Sequence, residues 1–366
     1  MVITVNREQL LPALSTIGGI VEKKQTLPIL GNFLVQIADG KMLLTATDLE
    51  IEIRTVSDIN EGEDLEPFTL PARKFGDICK ALPEGVEIKL TIDNDKVLIH
   101  ARQARFNIAT LPAQDYPSLE MIPAQDSFSI ASKVLKHLLS STAFSMANQD
   151  GRHYLNGTLL DLANNQLNCV ATNGHRLALC KHELESEHEE QQILLPRKIV
   201  YELIRLLDDS EDNVEIEFGV NFCRFKLGET LITTKLIDGK FPDYQRVIPR
   251  NLDKTAIINR EQFRYALFRS SLLSNEKYKG VKLSFSTDKL LLESNNNDQE
   301  NAEEELEIDY KSEEVSIGFN SDYLLNVITT LSCREVAIDL IDCLSSIVMR
   351  NPDDDNALYV IMPMRL

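Results

Sequence analysis

The 366-residue chain is 43% hydrophobic, enough to build several cores without metal or disulfide support, and its length fits two or three domains. Its 57 acidic and 38 basic side chains give a net charge of −19, which excludes a surface that coats nucleic acid or anionic membrane as a whole but not a local basic face. No apolar run approaches a membrane span, residues 1–14 lack the pattern of a signal peptide, and the six cysteines are scattered with no Cys-x-x-Cys, so the expectation is a reduced, cytoplasmic protein.

Taken in order, the first element reads as a helix. Asn6 is an N-cap with Gln9 three residues on, and Leu10, Leu11, Leu14 and Ile17 share one face. Asp39-Gly40 marks a turn between strands. Pro71 suits the first turn of a second helix, whose apolar stripe is Phe75, Ile78, Cys79 and Leu82. Residues 86–92 alternate with period two, as a half-buried strand does, and Asp93-Asn94 is the next turn. Arg102, Arg105 and Phe106 fall on a late strand.

The same order then recurs. Val5-Asn6-Arg7-Glu8-Gln9-Leu10 returns as Ile258-Asn259-Arg260-Glu261-Gln262-Phe263, and Ile130-Ala131-Ser132-Lys133-Val134-Leu135 stands halfway between. Leu70-Pro71-Ala72-Arg73-Lys74-Phe75 matches Leu195-Pro196-Arg197-Lys198-Ile199 and, more distantly, Gly318-Phe319-Asn320-Ser321-Asp322-Tyr323. Leu111-Pro112-Ala113-Gln114-Asp115-Tyr116-Pro117 corresponds to the segment ending Phe241-Pro242-Asp243-Tyr244. A period this long makes each unit a domain rather than a solenoid repeat. The reading is three α+β domains, 1–124, 125–252 and 253–366, each with two helices packed on antiparallel sheet.

Charge is segregated between the predicted elements. The six helical segments together carry +7, so the remainder of the chain carries −26. Helices sharing one face would give a basic lining for phosphates inside an acidic body. A second asymmetry separates the ends: Arg102 and Arg105 lie in the first domain, and Asp298, Glu300, Glu303, Glu304 and Glu305 in the third. Opposite charge at opposite ends suits a head-to-tail contact between copies, which closes into a ring when the rotation permits. Leu272 and Leu273, at the end of a helix, would supply its apolar centre.

Motifs for chemistry are missing. There is no phosphate-binding loop, no G-x-G-x-x-G, no G-x-S-x-G and no H-E-x-x-H, and the six histidines show no metal-ligand spacing. His182 and His188 flank an acidic stretch that reads as a loop. The rival function is a hydrolase using scattered Asp and Glu with His175 as base.

With Thr26-Leu27-Pro28-Ile29-Leu30-Gly31-Asn32, Ala171-Thr172-Asn173-Gly174-His175-Arg176-Leu177, Phe241-Pro242-Asp243-Tyr244, Leu273-Ser274-Asn275-Glu276 and the terminal Tyr359-Val360-Ile361-Met362-Pro363-Met364-Arg365-Leu366, the triplicated chain resembles the bacterial DNA polymerase III β subunits, the replicative sliding clamps. The resemblance implies a ring-shaped homodimer of six clamp domains, helices lining a hole for duplex DNA, and an ATP-dependent clamp loader that opens it. It implies no catalytic residues, cofactor or metal. Its partner-peptide pocket would comprise Leu155, Thr172, Gly174, His175, Arg176, Leu177, Pro242, Arg246, Val247, Tyr278, Asn320, Tyr323, Leu344, Ser346, Val360, Met362, Pro363, Met364 and Arg365. Relatives often carry Phe and Val where Tyr278 and Leu344 stand. DNA contacts would fall on Lys24, Arg73, Gln149, His153, Tyr154, Arg197 and Lys198. The dimer interface would use Lys74, Arg105, Phe106, Ile108, Leu272, Leu273, Glu300, Glu303 and Glu304, with Gln103 where an Arg is common. The implied partners are the replicative polymerase catalytic subunit, other DNA polymerases, ligase and mismatch-repair proteins, all through a short peptide motif, and the implied location is the nucleoid-associated cytoplasm.

Overall fold

The computed structural model describes residues 2–21, 27–93, 95–119, 123–184 and 188–365. One element order occurs three times. The first copy runs β1 (Val2–Asn6), α1 (Arg7–Gly18), β2 (Asn32–Ala38), β3 (Lys41–Thr47), β4 (Ile51–Asp58), β5 (Leu65–Pro71), α2 (Ala72–Ala81), β6 (Glu87–Asp93), β7 (Lys96–Ala101) and β8 (Ala104–Ala109). The second runs β9 (Asp126–Ala131), α3 (Ser132–Thr142), β10 (Gly157–Ala163), β11 (Gln166–Thr172), β12 (Arg176–Glu183), β13 (Gln191–Pro196), α4 (Arg197–Leu206), β14 (Asn213–Phe218), β15 (Phe222–Leu227) and β16 (Thr230–Lys235). The third runs β17 (Lys254–Asn259), α5 (Arg260–Ser271), β18 (Gly280–Ser286), β19 (Lys289–Asn295), β20 (Asn301–Glu307), β21 (Val315–Asn320), α6 (Ser321–Thr330), β22 (Glu335–Leu340), β23 (Ile347–Asn351) and β24 (Asp354–Ile361).

Local chemistry explains the repeated helix starts. Asn6 Oδ1 accepts the Glu8 N–H at 2.9 Å and Asn259 Oδ1 that of Gln262 at 3.1 Å, so both asparagines cap, as expected. The buried stripe of α1 is Leu10, Ala13, Leu14 and Ile17, with Leu11 only half-buried. Pro71 and Pro196 end β5 and β13, one residue before their helices rather than inside the first turn. Asp39 and Gly40 both take positive φ, 51° and 72°, which fits the two-residue hairpin joining β2 to β3. One other expectation changes. Arg102 lies in the turn before β8, and His182 stands near the end of β12.

The chain divides into two compact units. The first comprises residues 1–133 and 205–236. It holds a four-stranded antiparallel sheet, β1-β6-β7-β8, and an eight-stranded one, β5-β2-β3-β4-β16-β15-β14-β9. The second comprises residues 134–204 and 237–366. It holds the eight-stranded sheet β13-β10-β11-β12-β24-β23-β22-β17 and the four-stranded sheet β20-β19-β18-β21. Each eight-stranded sheet joins strands of two successive copies edge to edge, β4 against β16 and β12 against β24. Helices cover one face of the sheets: Leu10, Ile17 and Phe75 are buried in the first unit, and Phe263, Leu267 and Leu324 in the second. Each such side chain contributes about 1.5–3 kcal/mol on burial, which anchors the helices far more firmly than their propensity would. Among the described residues no helix is long and apolar enough to cross a membrane.

Candidate functional site

The turn between β11 and β12 is built by its own side chains. Thr172 Oγ1 donates to the Arg176 carbonyl at 2.6 Å and accepts the Gly174 N–H at 3.1 Å. Asn173 Oδ1 accepts the N–H groups of His175 and Arg176, at 2.9 and 3.1 Å. Gly174 has φ +87°, and a Cβ there would sit 3.1 Å from the Arg152 guanidinium, so conformation and space both favour glycine. Arg152 is in turn clipped to Asp150, and its hydrogen bonds draw that carboxyl down to about 2.

The C-terminal segment is strapped to this turn. The Met362 N–H donates to the His175 carbonyl at 3.0 Å and the Met364 N–H to the Gly318 carbonyl at 2.8 Å. Below it Leu177 and Val360 face each other across β12 and β24, packed with Phe241, Tyr244 and Val348, while Val247 closes one side. Tyr244 donates to the buried Asp161 carboxylate at 2.7 Å, and burial, with Asp161 beside it, raises the phenol. That bond anchors the turn carrying Pro242, Arg246 and Val247, in which Arg246 pairs with Asp243 at 2.8 Å.

A second cluster lies on the other side of the turn. The Arg176 guanidinium sits between the rings of Tyr323 and Phe144, 4.5 and 5.1 Å from their centroids, and donates to the Phe144 carbonyl. Burial lowers its pKa, and its Nε and Nη1 are buried without a hydrogen-bond acceptor. Asn173 Nδ2 reaches the Tyr323 hydroxyl at 3.4 Å, and Asn320 caps α6 while donating to the Tyr278 carbonyl at 3.2 Å.

The expected pocket residues therefore separate by depth. Leu155, Thr172, Leu177 and Val360 are buried and form a floor that packing alone accounts for. His175, Pro242, Arg246, Val247, Met362, Pro363, Met364 and Arg365 keep accessible surface above or beside it. Ser346 precedes Ile347, which pairs with Ile361 and so stands at the tail. Leu344 is 80% and Tyr278 55% exposed, so both stand outward rather than in the floor. Phe144 and Asn173 are neighbours of the expected pocket that sequence reasoning left out of it. The position of Asn173 inside Ala171-Thr172-Asn173-Gly174 could have revealed it as a turn former.

Of the residues expected at DNA, Lys24 lies outside the described residues. Arg73 is exposed on α2 in the first unit. The others gather in the second unit. Arg197 donates to the carbonyls of Met146 and Ala147, both at 3.3 Å, and stacks 4.9 Å from the Tyr201 ring. The loop it holds is closed by the Ala147 N–H on the Leu155 carbonyl at 2.9 Å and carries Gln149, His153 and Tyr154. Gln149 and His153 are exposed, Tyr154 packs against the pocket floor, and Lys198 follows Arg197, half-buried.

The expected interface residues sit on two sheet edges. Arg105 and Phe106 lie on edge strand β8, the first exposed and the second half-buried, while Ile108 is only 8% exposed and serves its own core. Glu303 and Glu304 lie on edge strand β20, and Glu300 just precedes it. Glu304 is held by Arg269 in two hydrogen bonds of 2.6 and 2.7 Å, and Glu300 by Asn296 at 2.7 Å, whereas Glu303 points out exposed. Leu272 is 66% exposed, Leu273 is half-buried, and Lys74 is exposed on α2.

Comparison with known proteins gives a consistent result. Residues 1–120, 129–243 and 245–365 match the N-terminal, central and C-terminal domain models of the DNA polymerase III beta subunit. A beta sliding clamp of Salmonella typhimurium is 43% identical over 366 residues, covering all of both chains. A crystal structure of a DNA polymerase sliding clamp from Pseudomonas aeruginosa superposes with a TM-score of 0.97 at 42% identity over the full length of both chains. A sliding clamp of the same organism bound to griselimycin matches equally well, with a TM-score of 0.97, 42% identity and complete coverage. None of these matches points to the hydrolase alternative. Three domain models in order along one chain, and relatives matched from end to end, place this protein in the DNA polymerase III β subunit family.

Proposed function

We infer that the chain is a DNA sliding clamp. Two copies join head to tail into a ring of six domains, 1–124, 125–252 and 253–366 in each, which encircles duplex DNA and tethers the replicative polymerase. The observation that carries this reading is the edge pairing. Leu231 faces Arg54 and Ile232 faces Ile53 where β16 meets β4, and the equivalent Leu358 and Tyr359 face Leu179 and Ala178 where β24 meets β12. Both joints have the same register. In the repeat, β8 is the counterpart of β16 and β24, and β20 that of β4 and β12. These two strands remain as edges. The same register sets Arg105 against Glu303 of the partner subunit and Phe106 against Ala302 of the partner subunit, so charge and shape both favour the third joint.

Arg73, Gln149, His153, Tyr154, Arg197 and Lys198, with Lys24, contact phosphates from inside the ring. No base-reading element is required, so binding is independent of sequence and weakens with salt. The rim around His175, Met362 and Pro242 takes an extended peptide from polymerases, the clamp loader, ligase and mismatch-repair proteins, in the nucleoid-associated cytoplasm. The test is retention after loading by the ATP-dependent loader. The clamp should persist on a closed circular duplex and run off a linear one with free ends. Equal retention on both would overturn the ring.

A further inference from the structure

The helix α5 and its C-cap residue together carry three large apolar side chains on one face. Tyr265, Phe268 and Leu272, at spacings of three and four, are 50%, 55% and 66% exposed. Repeat equivalence says what covers the middle one. The helices α1 and α5 both begin directly after a capping asparagine, so Phe268 corresponds to Ser15 and Arg269 to Thr16. The helices α2 and α4 both begin directly after a proline, so Lys80 corresponds to Arg205. Where the first and second copies meet, Arg205 donates to the carbonyls of Ser15 and Thr16, at 3.1 and 2.9 Å. It thereby satisfies the last turn of α1, where the helix dipole places negative charge.

From this we propose that Lys80 of the partner subunit caps the C-terminal turn of α5 and lies against the face of Phe268, adding a cation–π contact to the joint between chains. The proposal rests on the head-to-tail reading and extends it to two residues outside the β8 and β20 edges. Three features of the chain suit it. Lys80 is exposed at the end of α2, and the carbonyls it would reach each accept one hydrogen bond already, Phe268 from Ser271 Oγ at 2.7 Å and Arg269 from the Leu272 N–H at 3.2 Å, which leaves a second lone pair on each. Arg269, the cation nearest the proposed site, is already neutralised by Glu304 through two hydrogen bonds of 2.6 and 2.7 Å. An aromatic ring stands where the first copy has only Ser15, so the lysine gains a face that Arg205 lacks. The ammonium, a compact charge with three donors, can serve the carbonyls of both Phe268 and Arg269.

The dimer dissociation constant of the full chain, measured by sedimentation velocity across dilution, tests this. Phe268→Ser and Lys80→Ala should each weaken the dimer about tenfold, and the double variant scarcely more than either, because both remove one shared contact. Lys80→Arg, which installs the residue found at position 205, should restore wild-type association. Leu272→Ala serves as a control for the joint itself, and unchanged thermal unfolding of the monomer shows that the variants fold. A wild-type dimer that Leu272→Ala weakens but Phe268→Ser and Lys80→Ala leave untouched overturns this contact alone, as does additive loss in the double variant. A wild-type chain that stays monomeric at every concentration overturns the head-to-tail reading as well.

Discussion

Tyr116 and Tyr244 end the same motif in successive copies, and both are buried, yet their hydroxyls have different acceptors. Tyr116 donates to two neutral carbonyls, Asn32 at 3.3 Å and Thr45 at 3.2 Å. Tyr244 donates at 2.7 Å to Asp161, a carboxylate only 8% exposed that also accepts from Gln192 Nε2 at 3.2 Å. Changing either tyrosine to phenylalanine keeps the ring and removes one oxygen. A bond to neutral carbonyls is worth about 0.5–1.5 kcal/mol, and one to a charged acceptor about 1.5–3 kcal/mol, with the upper end favoured when the ion left behind is buried. Tyr244→Phe should therefore cost at least about 1 kcal/mol more than Tyr116→Phe. At about 2–4 °C per kcal/mol for units of this size, calorimetry should lower one transition by about 4–8 °C for Tyr244→Phe and by half of that or less for Tyr116→Phe. Because the chain has more than one unit, transitions are compared individually rather than as a single two-state unfolding. Adding Asp161→Asn to Tyr244→Phe should recover part of the loss, since a neutral amide is cheaper to leave underbonded than a carboxylate. Tyr244→Phe should also weaken peptide binding, because Pro242, Arg246 and Val247 hang from that anchor. Equal losses for the two tyrosines, or a larger one for Tyr116, would refute the reasoning.

Deleting residues 362–366 removes the backbone bonds from Met362 to His175 and from Met364 to Gly318 but leaves β24 paired with β12 and β23. Fluorescence anisotropy with a labelled polymerase peptide should show binding abolished while sedimentation shows the dimer intact; undiminished binding would move the pocket elsewhere. The alkaline limb of stability should be steep. Burial raises the thiols of Cys79, to about 12, and of Cys180, to about 11, and also raises the phenols of Tyr116, Tyr244 and Tyr359. Each group is neutral while protonated and holds its proton longer when folded. The unfolded chain therefore loses protons first, and stability that is full at neutral pH falls above about 8.5 for the thiols and faster above about 10 for the phenols. Urea midpoints measured from pH 7 to 11 should decline along that course, and a flat profile to pH 11 would contradict it.

The triplication was legible because its markers are backbone devices with few chemical solutions. Asn6 and Asn259 recur because an N-cap needs a short side-chain acceptor. The joints between copies were not legible. At β4 against β16 and β12 against β24 the partners are joined by main-chain hydrogen bonds, which every residue can make, so no side-chain pattern distinguishes an edge that pairs from one that does not. The clearest contrast lies on β20. Glu303, Glu304 and Glu305 read as one uniform acidic side of a contact between copies, and the structure places them on a strand that alternates with half-buried Ala302 and Leu306. In the same run Glu304 is turned inward to Arg269 on α5, a long-range pairing that no spacing rule reveals.

The expected site residues sort by depth. Leu177 and Val360, on paired strands, and Leu155, in the short turn before β10, are buried and would form the floor of the expected pocket. The basic residues divide in the same way. Arg197, taken as a DNA contact, spends donors on the carbonyls of Met146 and Ala147, and so shapes the loop that presents Gln149 and His153. Its substitution should therefore disturb loop and DNA contact together, whereas Arg73, exposed on α2, should report phosphate contact alone. The two arginines thus differ by a test that needs no structure: Arg73→Ala should lower the salt slope of DNA binding by about one unit without affecting unfolding, and Arg197→Ala should change both.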